Sequence, residues 1–152
     1  MFRGFSTVSI DSKGRMAIPS RFRERLISIA DGNLVLTLNP LDHCLWMYPL
    51  NDWELIEKKL AELSDFDKQS RRTKQMMRGY ANDCQLDAQG RILISLELRD
   101  YARLQKQAVI LGQGNKFEIW NQENWEEQRD LWLSQLDGAD GEPSDPLKSL
   151  SL

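Results

Sequence analysis

Ile10-Asp11-Ser12-Lys13-Gly14-Arg15-Met16-Ala17-Ile18-Pro19 returns 76 positions later as Leu86-Asp87-Ala88-Gln89-Gly90-Arg91-Ile92-Leu93-Ile94-Ser95. Each copy reads as strand, turn and returning strand. Thr7-Val8-Ser9-Ile10 alternates polar and apolar, as a half-buried strand does. Asp11 and Asp87 can accept hydrogen bonds from nearby backbone N–H groups, and Gly14 and Gly90 tolerate positive φ, so these four residues read as turn formers. Met16-Ala17-Ile18 leads back, and Pro19, with no N–H for a ladder, ends the strand.

The correspondence extends outward from the turns. Asn33-Leu34-Val35-Leu36 faces Gln107-Ala108-Val109-Ile110, and Leu45-Trp46 faces Ile119-Trp120, both at an offset of 74. The chain therefore reads as two copies of one unit, at residues 5–52 and 81–124, joined by a helical segment at 53–80. In the first copy Ser20 is expected to cap a helix ending near Gly32, and strands follow at 34–38 and 44–48. Asn51 with Glu54 resembles a capping box opening a helix to about Leu63. Ser64 and Asp67 suggest a second linker helix, with Phe66, Met76, Met77 and Tyr80 as its apolar contacts. The second copy repeats the plan, with strands at 83–86, 91–94, 107–111 and 116–120 and a short helix from Ser95. A last helix runs from about Asn121 through 125–136, and the acidic segment 137–152 is expected to be flexible. A lone unit of about 50 residues would bury too little surface to be stable, so the two copies are expected to close into one core. The expected fold is α+β: a β-rich pseudo-two-fold barrel with helices packed outside.

The 152 residues carry 20 basic and 23 acidic side chains, a net charge of -3 that argues superficially against a polyanionic partner. The charge is unevenly spread. Residues 1–30 hold Arg3, Lys13, Arg15, Arg21, Arg23 and Arg25 against Asp11 and Glu24, a local balance of +4. Residues 31–63 balance to -4, 64–83 to +2, and the remainder to -5. Clustered charge governs steering toward phosphates more than the total does. A solvated basic face remains the alternative on charge alone.

Strand, Asp-x-x-Gly-Arg, strand with Pro19, then a short helix resembles the swapped-hairpin AbrB-type DNA-binding fold. The tandem arrangement, with Met1-Phe2-Arg3-Gly4 at the start, is similar to the MraZ family of bacterial transcriptional regulators, over about residues 1–136. The resemblance implies a DNA-binding repressor, assembled as a ring homo-oligomer, acting on the promoter of its own operon in the division and cell-wall gene cluster. It also implies a cytoplasmic, nucleoid-associated protein. Carried residue by residue, the family's Asp-x-x-x-Arg motif falls on Asp11/Arg15 and Asp87/Arg91. The first loop is expected to face double-stranded DNA through Arg15 and Lys13, with Arg3 joining from the preceding strand and Arg21 and Arg23 widening the footprint. In the second copy Gln89 stands for Lys13 and Ser95 for Pro19, so Arg91 is expected to be chiefly structural. One basic turn binds weakly, which makes several copies meeting short promoter repeats the natural arrangement.

Other chemistry is poorly represented. His43, the only histidine, lacks companions at metal or triad spacing, and Cys44 and Cys84 form no CxxC pair and read as packing residues in a reducing compartment. Gly112-Gln113-Gly114-Asn115 reads as a hairpin turn, since no helix follows it. Trp46 and Trp53 recur as Trp120 and, loosely, Trp125, and these four with Trp132 read as packing residues, while Arg71, Arg72 and Lys74 read as a solvated helix face. Neither an enzyme, a metal site, a cofactor nor a small-molecule substrate is expected. No apolar run approaches the ~20 residues of a membrane span, and no secretory signal is expected. The competing reading is an oligomeric scaffold whose basic loops bind an acidic protein partner.

Overall fold

The structure, a computed structural model, describes residues 1–137 and 141–152. It divides into Met1–Gln122 and Glu123–Leu152. The first unit contains strands β1 (Phe5–Ser9), β2 (Arg15–Ala17), β3 (Asn33–Leu38), β4 (Leu45–Pro49), β5 (Asn82–Gln85), β6 (Arg91–Leu93), β7 (Gln107–Gly112) and β8 (Phe117–Asn121). Its helices are α1 (Ser20–Ala30), α2 (Leu50–Glu62), α3 (Lys68–Gly79) and α4 (Leu96–Tyr101).

The two copies interleave. β1 of the first copy pairs with β7 of the second, β5 of the second pairs with β3 of the first, and β4 and β8 join the halves into one antiparallel sheet ordered β1-β7-β8-β4-β3-β5. The remaining strands, β2 and β6, form a separate two-stranded ribbon. The register obeys the sequence repeat: Met16 pairs with Ile92, its counterpart at an offset of 76, and Leu45 pairs with Ile119, its counterpart at 74. Val8 opposite Ala108 is likewise repeated as Cys84 opposite Leu34. A pseudo-two-fold axis thus passes through the Met16–Ile92 and Leu45–Ile119 pairs. The architecture is α+β with a large antiparallel sheet. Its outer strands β1 and β5 are not paired with each other, so among the described residues no ladder closes the expected barrel.

Burial follows the pleat. On the ribbon Met16 and Ile92 point into the core, while Arg15, Ala17, Arg91 and Leu93 face outward. β3 is buried almost throughout, because α1, α2 and α3 all pack on it. Its polar member, Thr37, is satisfied by donating from Oγ1 to the Met77 carbonyl at 2.6 Å. The Trp46 and Trp120 indoles both donate to Glu118, at 3.0 and 3.1 Å, which places one carboxylate between the two copies' matching tryptophans.

Two helix starts differ from the sequence reading, for one reason. Pro19, not Ser20, is the N-cap of α1, and its carbonyl accepts from the Phe22 and Arg23 N–H groups. Pro49 likewise precedes α2, so Asn51 and Glu54 make no capping box; Asn51 Nδ2 donates to the Ile29 carbonyl instead. A proline with extended ψ already sets the entry to a helix without a side-chain cap. In the second copy, where Ser95 stands for Pro19, its Oγ caps α4 by accepting from Leu98 N–H at 3.4 Å. Asp67 caps α3 by accepting from Ser70 N–H. Of the four residues expected to pack here only Met77 is buried; Met76 and Tyr80 are exposed, and Phe66 is fully exposed in the loop ahead of α3, where no element covers it. Among the described residues no helix is long and apolar enough to cross a membrane.

In the second unit, α5 (Gln122–Asp137) sets the Trp125 and Trp132 rings edge-on, with centroids 6.1 Å apart. A short α6 (Asp145–Lys148) follows, beside a Lys148–Glu142 ion pair at 2.8 Å. Residues 138–140 of the segment expected to be flexible lie outside the described residues.

Because Met16 and Ile92 are the ribbon's inward anchors, Met16→Ala and Ile92→Ala should each lower unfolding free energy by about 2–5 kcal/mol. Urea denaturation measures this. A loss below about 1 kcal/mol for either would mean that the ribbon does not rest on that pair.

Candidate nucleic-acid interface

Each turn is an Asx-type loop closed by its own aspartate. Asp11 Oδ1 accepts from Lys13 N–H at 3.0 Å and Arg15 N–H at 2.9 Å, while Oδ2 accepts from Arg15 Nε at 2.7 Å. Asp87 repeats the pattern: Oδ1 accepts from Gln89 and Arg91 N–H, and Oδ2 from Arg91 Nε at 2.9 Å. Backbone bonds from Gly14 to Asp11 and from Gly90 to Asp87 close the loops at 3.0 Å, with the glycines at φ of +86° and +73°. The Arg15 and Arg91 side chains are similarly half-exposed, at 36% and 29%. Both lie on the outer face of the ribbon. In each, Nε is held by the aspartate, and among the described residues the two terminal nitrogens make no hydrogen bond. Lys13 is exposed, and among the described residues its ammonium has no partner.

The turns are also tied across the pseudo-axis. Ile18 N–H donates to the Gly90 carbonyl and Ile94 N–H to the Gly14 carbonyl, both at 2.9 Å. Helix α1 sends Arg23 to the second copy's turn, where Nη1 donates to the Gln89 carbonyl at 3.3 Å. Helix α4 sets Arg99 against Gly14 of the first copy's turn, while its Nε donates to the Ile94 carbonyl of its own copy at 3.1 Å. A Cβ at Gly14 would come within 2.9 Å of the Arg99 guanidinium, and one at Gly90 would overlap Arg23. The glycines are therefore needed for close approach as well as for φ.

The other arginines of the basic head lie elsewhere. Arg21 Nη2 donates to the Phe5 carbonyl at 3.1 Å and to Ser6 Oγ at 2.8 Å, along the outer edge of β1. Arg25 Nη1 donates to the Met1 carbonyl and lies over the Phe2 ring. Arg3 is exposed beside Gly112, whose N–H bonds the neighbouring Gly4 carbonyl. The structure thus brings Lys13 and Arg15 together, moves Arg23 to the opposite turn, and sets Arg21 against the N-terminal strand. Sequence reasoning passes over Arg99. Its signal is present, since Arg99 is Arg23 at the same 76-residue offset.

Little else in the described residues suits catalysis. No group of three or more His, Cys, Asp or Glu residues could hold a metal there. Burial pushes the Cys84 thiol up to about 12 and raises Cys44 as well, so neither is a ready nucleophile. His43 Nδ1 lies 3.3 Å from the Tyr101 carbonyl.

Asp11 and Asp87 sit below the ordinary 3.8, chiefly through the backbone N–H of residues 15 and 91 and then the arginine side chains. A depressed carboxylate stabilises above its unfolded value and loses that contribution as pH falls through the folded one, so the turns should loosen only below about pH 4. Carbon-detected NMR titration should place both midpoints below 3.8. Arg15→Met should raise the Asp11 midpoint only partway, because the N–H of residue 15 remains. Full reversion to 3.8 would show that the side chain dominates.

The family described as "MraZ protein" matches residues 1–76 and again 77–136, dividing the chain between the two copies. The "Transcriptional regulator MraZ" of Thioalkalivibrio sulfidiphilus (strain HL-EbGR7) is 48% identical over 152 residues, the whole of both chains. That of Marinomonas sp. (strain MWYL1) is 50% identical over 135 residues, 89% of each chain, and that of Halorhodospira halophila (strain DSM 244 / SL1) is 45% identical over the full length of both. With both copies matched and the relatives aligned over nearly all of their length, the chain belongs to the MraZ family.

Proposed function

We propose that this protein is a sequence-specific DNA-binding transcriptional regulator, not an enzyme, and that the ribbon β2–β6 with its two turns is the surface that meets the duplex. The observation that carries this reading is the outward display of Arg15 and Arg91 on one face of a two-stranded ribbon, with Lys13 in the turn that leads to Arg15. A two-stranded ribbon fits the major groove of B-DNA, and an arginine whose Nε is already held by a carboxylate offers its terminal nitrogens as a fixed fork for guanine O6 and N7. Lys13 supplies a point charge to a phosphate, and Arg3, Arg21 and Arg23 add to the surrounding positive field. The relatives' designation as transcriptional regulators supports the same reading.

The finer assignment follows from the smallness of the surface. One ribbon of three-residue strands reaches few bases, so a ring of several copies would act on short promoter repeats, with avidity supplying the affinity. The target is the protein's own promoter in the division and cell-wall gene cluster, where binding represses, in the cytoplasm at the nucleoid. Sheet and ribbon together would form the barrel-like body that carries the interface.

Footprinting on the DNA upstream of the protein's own gene should show repeated protected sites with wild type and none with Arg15→Ala. Lys13→Ala should weaken binding across all sequences and lower the slope of log K against log salt by about 0.9 for each phosphate it no longer neutralises. Unchanged footprints and slopes in both variants would reject the ribbon. A basic face that retains an acidic protein but not DNA would favour the scaffold reading.

A further inference from the structure

Arg15 and Arg91 are neutralised by Asp11 and Asp87. Arg23 and Arg99 are not. Among the described residues neither has a carboxylate within ion-pair distance, although both are partly buried. Each side chain makes one hydrogen bond to a backbone carbonyl: Arg23 to Gln89 in the opposite copy's turn, Arg99 to Ile94 of its own copy, next to Gly14 of the opposite turn. Arg23 Nε is buried and has no partner among the described residues. The Arg99 terminal nitrogens make no bond there either, and they are not buried. Partial burial of a guanidinium without a counter-charge costs free energy, and an anion docking on its accessible nitrogens recovers part of that cost. Both guanidiniums are fixed in contact with the turn glycines, immediately behind exposed loops.

We propose that Arg99 and Arg23 are phosphate-contacting residues, each completing the cation cluster of a turn that belongs to the other copy. This rests on the reading of the ribbon as the DNA-binding face. At the first turn the cluster is Lys13 with Arg99, flanking the base-reading Arg15. At the second, where Gln89 replaces the lysine, it is Arg23 alone beside Arg91. The DNA backbone is the phosphate source that fits, since the two clusters stand at opposite ends of one two-stranded ribbon and a duplex offers a phosphate strand on either side of a groove. The paired phosphate bonds set the ribbon's depth and angle, and leave the sequence reading to Arg15 and Arg91.

The test uses the full chain and a labelled mixed-sequence duplex of about 30 base pairs, with affinity read by fluorescence anisotropy between about 50 and 200 mM salt. Arg99→Gln should lower the slope of log K against log salt by about 0.9 per phosphate left unneutralised, with the thermal midpoint little changed, while Arg99→Lys keeps the wild-type slope. Arg23→Gln should give the same reduction at the second turn. A wild-type slope in Arg99→Gln overturns the assignment. Equal reductions in the Gln and Lys variants, together with equally lowered melting temperatures, also overturn it, because they mark a residue that only props the turn. If the wild type itself shows no salt-dependent binding, the DNA reading fails along with this one; if only the variants fail to respond, the DNA reading stands.

Discussion

The structure depends on backbone hydrogen bonds that neither copy can make alone. β1 has its ladder on β7 and β5 has its ladder on β3, so each copy's first strand is paired only when the other copy is present. Unpaired strands would leave rows of N–H and C=O groups to be satisfied elsewhere. The same exchange produces the ribbon. A pair of three-residue strands would be marginal in isolation, yet β2 and β6 are held by the buried Met16–Ile92 pair beneath and by the Ile18–Gly90 and Ile94–Gly14 bonds at either end. Those end bonds fix the position of each turn by the other copy's strand. The turns are therefore placed by the fold's symmetry and not by the stiffness of a free loop.

The repeat makes much of this legible. The 76-residue offset identifies both turns and their aspartates and glycines, and the apolar alternation marks the buried faces of the strands near them. It does not identify pairing partners. Ile10 and Met16 flank a turn and suggest a local hairpin, but only a single bridge joins them, and the strands beyond go to the opposite copy. Alternation tells which face is buried and is silent on which strand supplies the ladder. Polar residues at Ser20 and Asn51 mislead about the helix starts because a preceding proline does the work assigned to their side chains. Within the candidate site, counting charges places Arg15 and Lys13 together but cannot separate Arg21, which braces β1, from Arg23, which crosses to the far turn.

The two copies have kept one backbone and diverged in charge. Lys13 corresponds to Gln89, Arg21 to Glu97 and Arg25 to Tyr101, so the surplus cations of the first copy are divided: Lys13 stands at the first turn, while Arg21 and Arg25 stand on α1, the helix that sends Arg23 to the second turn. Tyr101 spends its hydroxyl on the Asn39 and Asp42 carbonyls, a structural task with no charge attached. Arg21 and Arg25 also bond backbone carbonyls, but a carbonyl does not neutralise a guanidinium, and their charge still contributes to the field outside. That field decays over a Debye length of about 8–10 Å in physiological salt, so the net charge of the whole chain does not decide the potential at a given turn. A net charge of -3 is thus compatible with cations gathered around both turns. Symmetry of the backbone lets the ribbon present two aspartate-held arginines in matching geometry, and asymmetry of the side chains makes the cations around the turns differ in kind, Lys13 and Arg99 at one and Arg23 at the other.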